Sequence, residues 1–250
     1  MTDAAMATGR EFRIGPIFGR AWHIYAANFV ILTLVALVIS LPNLLQGEGD
    51  TAAVVIRNIV VFIFWMIVNT VGLAVILYAA FQAMRGRTIQ IGEAIRRGLS
   101  KFWSIVGLAI LQWLGITIGF LLLIVPGIIL FIRWSTALPA CVVEGLGPLA
   151  SMKRSAELTK GHRWKIFGMY VLIWLAGMIV ISIIAAVFFG LIGAVTVAGL
   201  SRGFGIGALI WLVLSAILTA YFNVVLVMVY HDLRVTKEGV DTEQIASVFD

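Results

Sequence analysis

The sequence predicts an all-α fold: a polytopic membrane helical bundle of about six transmembrane helices in three hairpins, each preceded by a cytoplasmic amphipathic elbow helix. Three observations carry this. Of 250 residues, 62% are hydrophobic and 12% charged, with a mean hydropathy of +1.07, whereas charged residues make up about a quarter of a soluble domain. Uncharged runs such as Asn58 to Met84, Phe102 to Ile132 and Gly203 to Tyr230 each exceed the roughly 20 apolar residues that cross a bilayer as helix. Lysine and arginine cluster between alternate runs. Helix is the only spanning form these runs allow, because they lack the alternation of a barrel strand and every backbone amide must be paired internally.

In chain order, the first elbow covers 10–26 and starts at Gly15-Pro16, with Phe18, Ala21, Trp22 and Tyr25 on one face and Arg20 and His23 on another. Span one, 27–45, is closed by no small-residue cleavage site and reads as an anchor rather than a removable signal peptide. Span two is 53–84. The second elbow, 88–103, opens at Gly92-Glu93 and sets Ile95, Leu99, Phe102 and Trp103 opposite Arg96, Arg97 and Lys101. Between span three, 104–125, and span four, 127–143, only Pro126-Gly127 is left to make a tight turn at the outer interface. Span four is short, roughly 25 Å at helical rise, and Pro139 is expected to kink it. The third elbow, 147–164, starts at Gly147-Pro148 and places Leu149, Met152 and Ala156 against Lys153, Arg154, Glu157 and Lys160, ending at Arg163-Trp164-Lys165.

Span five is expected over 166–189. The uncharged run from Lys165 to Arg202 is too long for one span and too short for two, so a short interfacial or re-entrant segment is expected at 190–205. Span six is 206–230, and a polar tail, 235–250, follows. In that tail Ile245, Val248 and Phe249 fall at helical spacing, which fits either a small docking helix or a frayed end. Gly15, Gly92 and Gly147 begin the three elbows. That recurrence fits a triplicated unit, and it fits equally the basic linkers of any protein with charge-determined topology.

Orientation follows from charge. Fifteen of the eighteen lysines and arginines lie before span one, between spans two and three, between spans four and five, or after span six. The positive-inside rule puts those segments, and both termini, in the cytoplasm. The net charge of +6 is then topology, and nucleic acid is not an expected partner.

Arg133 is the most informative residue, because a cation inside a span costs about 2.5–3.5 kcal/mol on insertion scales and usually faces a partner. Asn69 in span two, Asn223 in span six and a lipid phosphate are the candidates. Glu144 is roughly 16 Å away along a helix and could reach only through the Pro139 kink. The alternative is that Arg133 snorkels to the outer interface. On the elbows, Arg20, Arg97, Lys153, Arg154, Arg163 and Trp164 are candidate lipid contacts, since membrane-proximal cations contribute about 1 kcal/mol each and tryptophan anchors at headgroup level. Topology alone would also account for those charges.

Other chemistry lacks its parts. Gly199-Leu-Ser-Arg-Gly203 matches G-x-S-x-G, but His23, His162 and His231 are all expected on the cytoplasmic side, far from Ser201. Three scattered histidines and the single Cys141, read as a packing residue, give no clustered metal-ligand set, and no cofactor is expected. No aspartate or glutamate falls inside a span to form a proton relay. Gly115-x-x-x-Gly119 and Gly203-x-x-x-Gly207 read as intramolecular packing.

Val125-Pro-Gly-Ile-Ile, Arg133, Leu138-Pro, Val143-Glu-Gly, Gly147-Pro-Leu-Ala, Lys153-Arg-Ser, Leu158-Thr-Lys-Gly161 and Arg163-Trp164 closely resemble the membrane-domain family named for glycerophosphoryl diester phosphodiesterase. Tyr230-His-Asp-Leu-Arg234 with Lys237-Glu-Gly239 and Asp241 is similar to that family's C-terminal signature. The resemblance is strongest over 120–165 and 228–243. It implies a multi-span helical protein of the bacterial inner membrane. It does not imply the phosphodiesterase reaction, which belongs to a separate soluble domain with acidic and histidine metal ligands.

The leading expectation is a non-enzymatic inner-membrane protein that binds or organises phospholipid, or serves as an accessory or scaffold subunit through its elbows or tail. The competing one is a transporter or channel for a small amphipathic or lipid-like solute, using the kinked span four, Asn69 and Asn223, and the glycine-rich outer segment as moving parts.

Overall fold

The computed structural model describes residues 12, 14–45, 51–197 and 203–238, and the regular elements among them are all helical. The helices are α1 (Ile14–Ala27), α2 (Phe29–Ser40), α3 (Ala52–Met84), α4 (Ile91–Ser100), α5 (Phe102–Leu122), α6 (Ile124–Arg133), α7 (Ala137–Val143), α8 (Pro148–Thr159), α9 (Arg163–Val197) and α10 (Gly203–Glu238). A short 3-10 helix, Leu41–Leu45, extends α2. Five helical segments are long and apolar enough to cross a membrane, with α6 and α7 together counted as one, and a sixth results if α1 and α2 form one span bent by 89°. The protein is a multi-pass membrane protein.

Several boundaries differ from those expected. The turn between spans three and four is the single extended residue Leu123, at φ −165° and ψ 152°. Pro126 and Gly127 lie inside the first turn of α6, where a missing amide is tolerated. Span four is broken at 134–136. Pro139 explains the position, because its ring would clash with the carbonyl four residues earlier, at Ser135, if the helix ran through. Past 189 the chain stays helical, since α9 continues to Val197, and residues 198–202 lie outside the described residues. Likewise α10 continues to Glu238, two turns past the expected end of span six. The tail from 239 onward, with its candidate docking helix, lies outside the described residues.

The elbow segments are helical, and α1 buries Ala21 and Tyr25 of the face expected for it, but α4 and α8 pack mainly by small residues rather than by their large apolar ones. On α4, Ala94 and Gly98 are buried while Ile95 and Leu99 stay exposed. On α8, Ser151, Ser155, Ala156, Leu158 and Thr159 are buried and Leu149 is 71% exposed. The reason lies in the solvent. Lipid gives no drive to bury large apolar side chains, so close contact falls to small residues that let backbones approach.

Burial is concentrated at one end. Every residue from Ala74 to Gln82 on α3 is buried, as are Ala140 to Val143 on α7 and Val227 to His231 on α10. The start of α3 instead exposes Val55, Ile56, Ile59, Val60 and Phe62. Helix α10 packs against α1, α2, α3, α7 and α8 and is the centre of the bundle, whereas α9 packs on α6 and α10. Half of the most apolar stretch of α10 is buried, against 11% for α9. At roughly 50 Å each, α3, α9 and α10 exceed the roughly 30 Å hydrocarbon layer, leaving turns for polar side chains beyond it.

Candidate functional site

Three stretches that are distant in sequence meet at the tight end. Gly145 ends α7 in the left-handed region, at φ +69°, which glycine adopts without strain. Lys101 Nζ donates to the Gly145 carbonyl at 2.8 Å and closes that helix end. Glu144, one residue earlier, is thereby set between α8 and α10. Arg154 Nε donates to its two oxygens at 2.9 and 3.0 Å. The Tyr230 hydroxyl donates to Oε1 at 2.5 Å, and Arg234 Nη1 lies 3.9 Å from the same oxygen. Glu238 completes the ring by pairing with Arg154 Nη2 and accepting from Arg234 Nε at 3.0 Å.

Two carboxylates and two guanidiniums therefore balance in a lock joining α7, α8 and α10. Its side chains are only 14–26% exposed, so the charges are little screened and depend on one another. Burial by itself would lower the Arg154 guanidinium, but Glu144 and then Glu238 hold it above the usual arginine range. Glu144 was weighed as a partner for Arg133 and has other partners. Tyr230, Arg234 and Glu238 were absent from the candidate residues, yet their spacing of four puts them on one face of α10.

The broken span is the second feature. Ser155 Oγ donates to the Arg133 carbonyl at 2.9 Å, Thr159 Oγ1 reaches it at 3.4 Å, and the Thr136 amide donates to Ser155 Oγ at 3.2 Å. Gln112 Nε2 on α5 donates to the Trp134 carbonyl at 2.7 Å. Polar groups released by the interruption are thus served by side chains of α8 and α5. The stripe Ser151, Ser155, Thr159 is legible as an i, i+4, i+8 repeat, which marks one helix face.

The remaining candidates do not assemble into one site. Arg133 ends α6 with its side chain exposed and, among the described residues, without a hydrogen bond or ion pair. Asn69 is half-buried on α3, and Asn223 is buried with its amide donating to the Thr219 carbonyl of its own helix at 2.8 Å. Arg20 pairs with Asp232, Arg97 lies over the Tyr78 ring, and Lys153 is exposed.

Arg163 and Trp164 border a cleft of about 370 Å³ whose other walls are Val125, Ile128, Ile129 and Ile132 of α6 and Phe167 of α9. Arg163 Nε is buried there with no hydrogen-bond partner among the described residues. Trp164 is 85% exposed and packs edge-on to Phe167. Arg133 follows Ile132 directly but is in the wall of none of the cavities described here.

Comparison with known proteins gives one family. Residues 105–247, more than half of the chain, match the membrane domain of glycerophosphoryl diester phosphodiesterase. No curated protein and no solved structure matches. The matched range runs from α5 to beyond α10 and so contains Glu144, Arg154, Arg234 and Glu238 together with the served break in span four. The chain belongs to the family of the membrane domain of glycerophosphoryl diester phosphodiesterase.

Proposed function

We propose that the protein is a non-enzymatic component of the bacterial inner membrane, with both termini cytoplasmic, that binds phospholipid in the cleft between α6 and α9. The observation carrying this reading is Arg163 Nε, buried and unpaired among the described residues in an otherwise apolar cleft. Such a group costs free energy until an acceptor arrives, and a charge-assisted bond to a phosphate oxygen is about twice as strong as a neutral one. The α6 wall suits an acyl chain. Trp164 at the mouth suits the headgroup level, where tryptophan anchors, and the exposed Arg133 adds positive charge at the end of that wall. Lys153 and Arg20 would act in this reading as non-specific attraction to an anionic surface.

Native mass spectrometry of the protein in mild detergent tests the reading. Arg163→Gln is expected to lower phospholipid occupancy about tenfold through loss of a charge-assisted bond. Arg133→Leu is expected to lower it less, and Lys153→Gln, on an exposed side chain, is expected to have no effect. Unchanged occupancy in Arg163→Gln would sink the assignment to this cleft.

A further inference from the structure

The loop joining α3 to α4 encloses a different cavity, of about 270 Å³, which shares no residue with the α6–α9 cleft. Its walls include Arg85, Arg87 and Glu93, with the rings of Tyr78 and Phe81. The Arg85 guanidinium lies 5.9 Å from the centre of the Phe81 ring, and its Nη2 is buried without a hydrogen-bond partner among the described residues.

Glu93, in contrast, is held by a chain of bonds. Tyr78 donates to Oε1 at 2.5 Å, Gln82 Nε2 donates to Oε2 at 3.1 Å, and Gln82 Oε1 accepts from the Gln90 amide at 3.1 Å. A carboxylate offers about four acceptor positions, so two neutral donors leave Glu93 room for a cation. One cavity thus presents an unsatisfied guanidinium donor and a carboxylate fixed in place with acceptor capacity to spare. A simple anion would serve Arg85 and meet the charge of Glu93. A simple cation would do the reverse.

We propose that this cavity binds a phosphoethanolamine group, with its phosphate on Arg85 and its ammonium on Glu93. The zwitterion meets both needs at once. The proposal does not depend on the α6–α9 cleft, and variants of Arg163 leave it untouched.

The test uses the full chain in mild detergent, titrated with short-chain phosphatidylethanolamine and phosphatidylglycerol of equal chain length, and with free O-phosphoethanolamine as competitor. The wild type is expected to prefer the ethanolamine lipid. Arg85→Gln is expected to weaken that lipid about tenfold. Glu93→Gln is expected to bring the two lipids to equal affinity, because it removes the charge that meets the ammonium while keeping an acceptor for Tyr78. Displacement by free O-phosphoethanolamine identifies a soluble source for the group, and retention of the lipid identifies a membrane source.

Equal affinity for the two lipids in the wild type, or unchanged affinity in Arg85→Gln, overturns the proposal. Arg85→Lys separates binding from misfolding. Recovery of part of the affinity with the charge supports the site, and a loss as deep as that of Arg85→Gln in a variant that melts normally overturns it.

Discussion

Replacing Glu144 by alanine is expected to destabilise the protein by about 3 kcal/mol, near the lower bound for removing one partner of a buried charged pair. The side chain accepts from Arg154 and Tyr230 and lies close to Arg234. Its removal leaves the Arg154 and Arg234 guanidiniums, 14–21% exposed, with a single remaining carboxylate, Glu238. Glu144→Gln keeps an acceptor for Tyr230 but loses the charge, and is expected to cost less. Thermal or denaturant unfolding in detergent measures both. A double-mutant cycle of Glu144→Ala with Arg154→Ala should show the two changes to be strongly non-additive. Additive losses would mean that the ring of charges does not act as a unit.

The second large effect is expected at Gly119. A Cβ there would sit 3.0 Å from the Gly127 Cα and 3.1 Å from its nitrogen, and backbone atoms cannot swing aside as a side chain can. Gly119→Leu therefore has to push α5 and α6 apart. The expected loss is about 3 kcal/mol, the upper end of the usual cost of overpacking. Gly115→Ala is the informative contrast, because its Cβ would meet the end of the Trp134 ring, which can turn away. Gly147→Ala, with nothing within 4 Å of the new atom, serves as the control for steric effects. If Gly119→Leu melts like the Gly147 variant, the close approach of the hairpin is not as described.

What could be read from the sequence follows from how lipid acts as a solvent. Spans two and three were legible because α3 and α5 are bounded by charge, and a long uncharged run has one stable form in hydrocarbon. The break in span four was legible through Pro139, although its place four residues upstream needed the ring-to-carbonyl clash to be applied. The inward faces were not legible. On a soluble helix a stripe of leucine marks the core, but Leu99 of α4 and Leu149 of α8 point outward while Gly98 and Ser155 face in. Hydrophobic periodicity carries little information where the surroundings are as apolar as the interior.

The charged ring was missed for a different reason. Glu144 and Tyr230 are 86 positions apart, and no local pattern connects them. Reading Arg234 and Lys237 as topology signals and as part of a family signature concealed that Tyr230, Arg234 and Glu238 share a helix face. At Arg133 the structure adds a backbone role to the one expected of the side chain. Its rarity inside an apolar run drew attention to the side chain, whereas the structure engages its backbone carbonyl and leaves the guanidinium exposed.

An unwound stretch within a transmembrane segment ordinarily needs hydration, because its freed amides and carbonyls have nowhere else to turn. Here the hydroxyls of Ser155 and Thr159 and the amide of Gln112 take the place that solvent would fill. The discontinuity can therefore stay dry. An interruption whose polar groups are met by neighbouring side chains costs the fold little, so the chain can change direction at 134–136 without stranding the Arg133 and Trp134 carbonyls.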